Sequence, residues 1–390
     1  MSRICFLFNH DQTHQLAHSL PIAMALAARS EHQIVLAYTK PAMRAEIERQ
    51  ADPALLAKVE LVRLTLKQSG SQALASLLER VVPARKLLIY RDNLDFFASF
   101  DAVVVSEKTS LLLKTLYGLD NVKLIHTRHG AGDRAIGFNK ESAGFDLVLV
   151  SGPKIRDRLI AEAGLTPEQI ALVGYPKFDL CAKNRFADTF PAPKRPTVIY
   201  NPHPSPKLSS WFKHGAAVIA AFRNQDRYNL IFAPHVMLFE RKWVVTLDPP
   251  SLARVVPPGA QYRAERRIHI DTGSAASSDM SYTNRADIYL GDVSSQVYEF
   301  LRAPRPCLFL NSHGVDWHDD PSYLHWHAGP VLDSPADLLD AIDAAVASHP
   351  DYVPTQQALI DATFSLSERA SAERAAEAIG AFLKGTKPLG

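Results

Sequence analysis

The sequence predicts an α/β fold made of two doubly wound parallel sheets, and three observations carry that reading. Short β-branched runs alternate with Ala- and Leu-rich segments of helical spacing along the chain. A Pro-rich, charged stretch at 186–196, FADTFPAPKRP, interrupts the alternation, which then restarts. The chain's 390 residues are too many for one small core and suit two domains of ordinary size.

In the first domain, expected over residues 1–185, strands read at RICFLFN, QIVLAYT, FDAVVVS, VKLIHTRHG, FDLVLVSG and IALVGYP. Between them, LPIAMALAARS and KIRDRLIAEAG carry helical spacing, and strand–helix alternation at this pitch implies a parallel sheet covered on both faces. The 186–196 stretch reads as a linker. The second domain, expected over 197–353, repeats the pattern with TVIYNPH, YNLIFAPH, RRIHID, ADIYLGD and RPCLFLN. A C-terminal helical segment, 354–390, contains SERASAERAAEAIGAFLKG, amphipathic with Ala375 and Ile379 near one face.

Composition removes several function classes. A hydrophobic content of 47% with 22% charged residues belongs to a folded chain. The formal net charge of +2 argues against a general nucleic-acid binder. Cys5, Cys181 and Cys307 lie far apart with no CxxC spacing, which fits a reducing compartment better than a disulfide framework or zinc knuckle. No apolar run reaches transmembrane length, and MSRICFLFNH lacks a signal peptide's long apolar core. A cytoplasmic protein is expected, with peripheral contact to the inner face of the cell membrane left open.

Ligands of doubly wound sheets bind beyond the carboxyl ends of the strands, so the loops there hold the candidates. FNHDQTHQLAHSLPIA places His10, His14 and His18 at spacings of four, as a metal site on one helix face would. Asp11 and Thr13 are good cap residues, however, so His14 or His18 is expected to face the ligand crevice without metal. RHGAGD sets Arg128, His129, Gly130, Gly132 and Asp133 after a buried strand. Glycines let backbone approach a ligand, and histidine takes a proton near neutral pH.

In the second domain, NPHPSPKLSSW offers His203, Lys207, Ser209 and Ser210, a set that either cradles phosphate or stiffens a domain-entry loop. His235 stands at the next strand end, where an imidazole can donate to a phosphate oxygen. In DIYLGDVSSQVYEFL, Asp292 is a candidate to orient the turn, and Ser294 and Ser295 are expected both to cap the helix and to bind phosphate. Gln296 follows them, and Glu299 falls one helical turn after Ser295, where a carboxylate can accept from ribose hydroxyls. Neither GxGxxG nor GxxxxGK[ST] occurs. HGVDWHDDPSYLHWH holds four histidines and three aspartates without a metal-ligand spacing, and reads as a polar loop lining the crevice.

On these residues the chain resembles the GT-B architecture, two Rossmann-like doubly wound domains facing a central cleft. More narrowly, it resembles the CDP-glycerol glycerophosphotransferase family of teichoic-acid and capsule polymerases. RHGAGD looks like that family's histidine–glycine motif, DLVLVSG and ALVGYPKFD like the strand and turn after it, and FAPH like the segment with a second functional histidine. ADIYLGDVSSQVYEFLRAPRPCLFLN is similar to its aspartate–serine–serine motif, with Val293 where the family has tyrosine, and Ala-Gly-Asp follows Gly130 in place of Thr-Pro.

The resemblance implies transfer of a glycerol-phosphate or related polyol-phosphate unit from a CDP-linked donor to a hydroxyl of a glycan or lipid-linked acceptor. His129 and His235 would be catalytic. His203, Lys207, Ser209, Asp292, Ser294, Ser295, Gln296 and Glu299 would bind the donor, with His14, His18, Arg128 and Asp133 on the acceptor side. No metal or cofactor beyond the donor nucleotide is implied, and no nucleic-acid partner. Two readings stay open beside it: a GT-B glycosyltransferase or epimerase using a nucleotide sugar, and a non-catalytic nucleotide-binding subunit.

Overall fold

The computed structural model describes residues 1–68, 70–71, 84–187, 190–247 and 250–386. Positions 188 and 189 of the expected linker, 387–390 of the expected C-terminal segment, and 69 and 72–83 of the expected first domain lie outside the described residues. The chain divides into two compact units. One comprises Met1–His129, Phe138–Leu180 and Phe364–Gly390; the other comprises Gly130–Gly137 and Cys181–Thr363.

The first unit holds β1 (Arg3–Phe8), β2 (Gln33–Tyr38), β3 (Glu60–Arg63), β4 (Ala102–Val105), β5 (Lys123–His126), β6 (Leu147–Val150) and β7 (Ile170–Leu172). They form one sheet in the order β3-β2-β1-β4-β5-β6-β7, every pairing parallel. A strand covered on both faces has no polar side, and the runs AVVV and LVLV of β4 and β6 are buried throughout. Alternation along β1 sorts its side chains: Ile4, Phe6 and Phe8 join one hydrophobic layer, while Cys5 and Leu7 join the other. The edge strand β3, with the polar-ended sequence ELVR, is only half-buried and carries no such signal.

The C-terminal helix Ser371–Leu383 packs on the helix Leu20–Arg29 through Ala375, Ala376 and Ile379. Its N-cap position is Ala370, which has no side-chain oxygen to offer. Asp179 supplies the cap from a distant part of the chain, accepting from Ser371 N at 3.2 Å and Ala372 N at 2.6 Å. The GYP turn serves the same helix. Gly174 has φ +87°, and a Cβ there would fall 2.2 Å from Arg374 Nη2.

The second unit holds β8 (Thr197–Asn201), β9 (Asn229–Phe232), β10 (Trp243–Leu247), β11 (Pro250–Arg254), β12 (Ile268–Ile270), β13 (Ile288–Gly291), β14 (Cys307–Leu310) and β15 (Val331–Leu332). Its main sheet runs β12-β9-β8-β13-β14-β15, again parallel, and β10–β11 form a separate antiparallel ribbon. Val198, Tyr200, Leu230, Phe232, Ile288 and Leu290 line one side of the sheet, with Trp211 stacked on Phe232 at 4.8 Å between centroids.

Both sheets share one topology. From the first strand the chain builds outward in one direction, then returns to build outward in the other. The crevice left at that reversal, between β1 and β4 and between β8 and β13, is where doubly wound sheets bind ligands.

The distant cap can be tested. Asp179→Ala is expected to destabilise the protein by about 1 kcal/mol. Its signature is faster amide exchange in the first turn of Ser371–Leu383 together with a lower urea midpoint; unchanged exchange there would show that the cap contributes nothing.

Candidate functional site

In the first unit, the reversal point brings together the loops after β1, β4 and β5. Asn9 and His10 follow β1, Ser106 and Glu107 follow β4, and Thr127, Arg128 and His129 follow β5. Two histidines converge on one carbonyl: His129 Nδ1 lies 2.9 Å and His126 Nε2 3.1 Å from Ser106 O. A carbonyl oxygen can only accept, so each of those nitrogens carries the proton. Neutral His129 therefore presents Nε2 as a lone pair, the form a general base needs. The residue is exposed at the surface, yet the protein packed around its ring disfavours the charged form and lowers its pKa. The Ser106 carbonyl and Glu107 oppose that effect, while His10 and Arg128 add to it.

Buried His18 stands edge-on to Tyr175 at 5.3 Å, and burial, then Lys177 and the neighbouring histidines, hold it well below the usual histidine range. His14 is half-buried on the same 3-10 turn, Thr13–His18. Arg128 sits at φ +54°, a left-handed conformation that costs a non-glycine residue about 1 kcal/mol. Its guanidinium and that of Arg158 both lie on the Phe138 ring, at 4.9 and 3.8 Å, and desolvation followed by Arg158 brings it down to about 10.

Glu107 and Lys86 were not singled out from the sequence, although they are the charged core of this cluster. Burial acts to raise the Glu107 carboxyl, but His10 and the paired Lys86 ammonium outweigh it and hold it at about 2. His10 Nδ1, at 3.6 Å, is beyond hydrogen-bond length, so Lys86 is the firmer partner.

In the second unit, the reversal point is closed by one carboxylate. Asp292, fully buried after β13, accepts from His203 N at 2.9 Å and Val293 N at 2.7 Å on Oδ1. On Oδ2 it accepts from Ser210 N at 2.6 Å and Ser210 Oγ at 2.8 Å. Burial raises this carboxyl above the usual carboxylate range, and those donors offset only part of the rise. With donors on both oxygens and no proton to share, the arrangement selects the carboxylate. The Asp292 backbone carbonyl is held in turn by Trp326 Nε1 at 2.9 Å and His325 Nε2 at 3.1 Å.

His325 reaches past it to Asp133, with Nδ1 at 3.1 Å, and Tyr298 donates to the same carboxylate oxygen. Asp133 is buried and belongs to the second unit, as does the whole of Gly130–Gly137, whereas His14, His18 and Arg128, with which the resemblance grouped it, belong to the first. The glycines of this segment approach protein rather than empty space. Gly130 has φ +80°, and a Cβ on Gly132 would fall 2.9 Å from Ser295 Cβ.

His203 Nε2 lies 3.1 Å from Arg134 Nη1, and Ser205 N lies 3.0 Å from His203 Nδ1. Both partners are donors, and a neutral imidazole has one lone pair, so only one contact is a full hydrogen bond and a second ring proton has no place. Burial, then Arg134 and His235, keep His203 well below the usual range. The cation beside this ring is accordingly exposed Arg134, next to RHGAGD. His235, 6.2 Å from His203 between ring centroids, accepts Met237 N on Nδ1 at 3.3 Å, which leaves Nε2–H as its donor.

The remaining residues differ in their access. Lys207 and Ser295 are exposed and Gln296 is half-buried, its Nε2 donating to Ser277 O at 2.9 Å. Ser209, Ser294 and Glu299 are buried, and Ser209 Oγ accepts from Trp211 N at 3.2 Å. The helix after the serines, Gln296–Phe300, is a five-residue stub whose N-cap Ser295 makes no side-chain cap bond; Ser294 Oγ meets Gln296 N at a long 3.4 Å. The expected capping by both serines is therefore not what forms, and so short a helix has a weak dipole. The loop at 313–327 sends His325 and Trp326 into the core. Among the described residues no group of three or more His, Cys, Asp or Glu could hold a metal ion.

Two parallel sheets of this topology, each covered by helices, define the GT-B class of α/β proteins, and solved structures of that class resemble the chain over nearly its full length. The wall teichoic acid polymerase TagF, in a variant solved with CDPG, matches with TM-score 0.64 at 13% identity, covering 98% of this chain and 89% of that one. A UDP-N-acetylglucosamine 2-epimerase matches with TM-score 0.60 at 12% identity, covering 99% and 97%. MnaA of S. aureus, solved with UDP, matches with TM-score 0.56 at 12% identity, covering 98% and 97%. No family model and no curated protein sequence matches the chain.

Two outcomes test this geometry. Gly132→Ala should cost about 1–2 kcal/mol by overpacking against Ser295. Ser295→Gly in the same chain should recover most of it, and a double-mutant cycle by urea unfolding measures the coupling. For Glu107, the lowered carboxyl contributes stability that is present above 4.5 and is lost as pH falls toward 2. Glu107→Gln should lower the urea midpoint at neutral pH and flatten its decline over that acid interval; a parallel decline in both proteins would refute the assignment.

Proposed function

We propose that the chain transfers a glycerol-phosphate or related polyol-phosphate unit from a CDP-linked donor to a hydroxyl of a glycan or lipid-linked acceptor. The observation that carries this reading is the His129 ring, fixed by the Ser106 carbonyl as a neutral base with Nε2 unprotonated. The fold shared with a teichoic acid polymerase solved with CDPG supports the choice of donor.

In this scheme the acceptor oxygen attacks the donor's distal phosphorus and its proton passes to His129 Nε2. The new O–P bond forms as the bond to the leaving CMP breaks, and CMP departs as an anion. In the second unit, Arg134, His235 through Nε2–H, Lys207 and the exposed Ser295 supply positive charge and donors to the phosphates. Asp292 touches no substrate and holds their loops in place. Preorganised donors of this kind stabilise developing charge without rearranging during the reaction.

The decisive assay incubates the protein with CDP-glycerol and a panel of glycan and lipid-linked acceptors and follows nucleotide release. Release of CMP is expected. Release of a nucleoside diphosphate from a sugar donor, or epimerisation without release, would assign the chain to sugar chemistry instead. His129→Gln should lower kcat roughly a hundredfold or more while nucleotide-induced thermal stabilisation persists. Because its pKa is lowered, His129 stays unprotonated below the usual 6.5, so the acid limb of kcat/KM should fall below that pH. An acid limb above 6.5 would remove His129 as the base.

A further inference from the structure

Of the nine large apolar side chains exposed among the described residues, five fall between Met237 and Val256, so they are a patch rather than scatter. Three of them belong to the β10–β11 ribbon, and Val256 follows its second strand. Trp243 is 52% exposed, Val245 66%, Leu252 64% and Val256 57%.

The register shows why they stand together. Trp243 pairs with Arg254 and Val245 with Leu252, and Val255 N donating to Lys242 O at 2.9 Å continues the ladder beyond β11. Side chains alternate between faces, so Trp243, Val245, Leu252 and Val256 share one face with Arg241 and Arg254. The opposite face carries Val244 and Val255, which pack into the core of the second unit. The ribbon is therefore anchored by its inner face and presents an apolar outer face edged by two exposed arginines. Its residues 241–247 and 250–256 include Arg241, Lys242 and Arg254 and no acid.

We propose that the outer face of this ribbon docks on an anionic lipid bilayer. Aliphatic side chains beside a tryptophan fit the boundary between acyl chains and headgroups, and flanking arginines meet anionic headgroups at the same depth. A second copy of the chain fits less well. A two-fold pairing that sets the open ends of the two ribbons together would bring the arginines of one copy against those of the other while removing them from water. No described helix is long and apolar enough to cross a membrane. The proposal stands apart from the reaction assigned above and does not depend on it.

The test is co-sedimentation of the full chain with vesicles of phosphatidylcholine, alone or doped with phosphatidylglycerol. The wild type should pellet with the doped vesicles and far less with phosphatidylcholine alone, with a blue shift of tryptophan emission. Trp243→Phe should keep the pelleting and lose most of the blue shift. Val245→Ser with Leu252→Ser should reduce partitioning about tenfold or more. Arg241→Gln with Arg254→Gln should abolish the preference for phosphatidylglycerol. All five substituted side chains point to solvent, and an unchanged circular dichroism spectrum confirms folding. Wild type that stays in the supernatant with both vesicles, or serine variants that pellet as well as wild type, would overturn the proposal. So would self-association that the serine variants abolish in protein that ignores vesicles, which would assign the face to a second copy.

Discussion

The arrangement of the second unit depends on one buried carboxylate. Asp292 sits where the sheet order reverses, and each of its oxygens is saturated by donors from the loop after β8 or from its own turn. A buried charge is tolerated only when it is fully hydrogen-bonded, and removing its partners costs several kcal/mol. That requirement fixes the β8 loop against the β13 loop. It also fixes the direction of the Asp292 carbonyl, on which Trp326 and His325 converge, and through His325 the position of Asp133. A chain of contacts from Asp292 to Asp133 therefore sets the segment Gly130–Gly137, whose Arg134 reaches His203.

The first unit solves a different problem. Its crevice gathers histidines, and burial together with neighbouring cations favours their neutral forms. Neutral imidazoles can accept a proton. The orientation of that capacity comes from backbone: a single carbonyl, Ser106 O, takes the Nδ1 proton of His129 and so directs its lone pair through Nε2. Glu107 and Lys86 pair close by, and the charge of Glu107 only partly opposes the lowering at His129.

Legibility followed the physics of each signal. Strand ends were readable because hydrophobic runs buried on both faces are distinctive, and the loops after them held His129, His235, His203 and Asp292 as expected. Arg134 and His325 were not readable as partners, since Arg134 falls just after the glycine motif and His325 lies in a loop with no regular spacing. Glu107 followed a strand that ended in serine, and its importance comes from Lys86, which lies on another segment of the chain. The serine pair misled in one respect. N-cap residues announce a helix but not its length, and a five-residue helix offers little dipole to an anion.

The amino-acid sequence alone determined the two parallel sheets, because alternation of β-branched and helical segments leaves few other ways to bury these residues. It also determined which loops would carry polar chemistry, since those are the segments that follow buried strands. Only the tertiary structure decided protonation and partnership. Which nitrogen of His129 holds the proton depends on a carbonyl from another strand, and the carboxylate of Asp292 is satisfied by residues more than eighty positions away. The same holds for the ribbon, where register placed Val244 and Val255 in the core and left Trp243, Val245 and Leu252 in solvent. Local preference sets where strands and turns begin; contacts between distant segments set what their side chains face, because burial and hydrogen-bond satisfaction are settled only when the chain is packed.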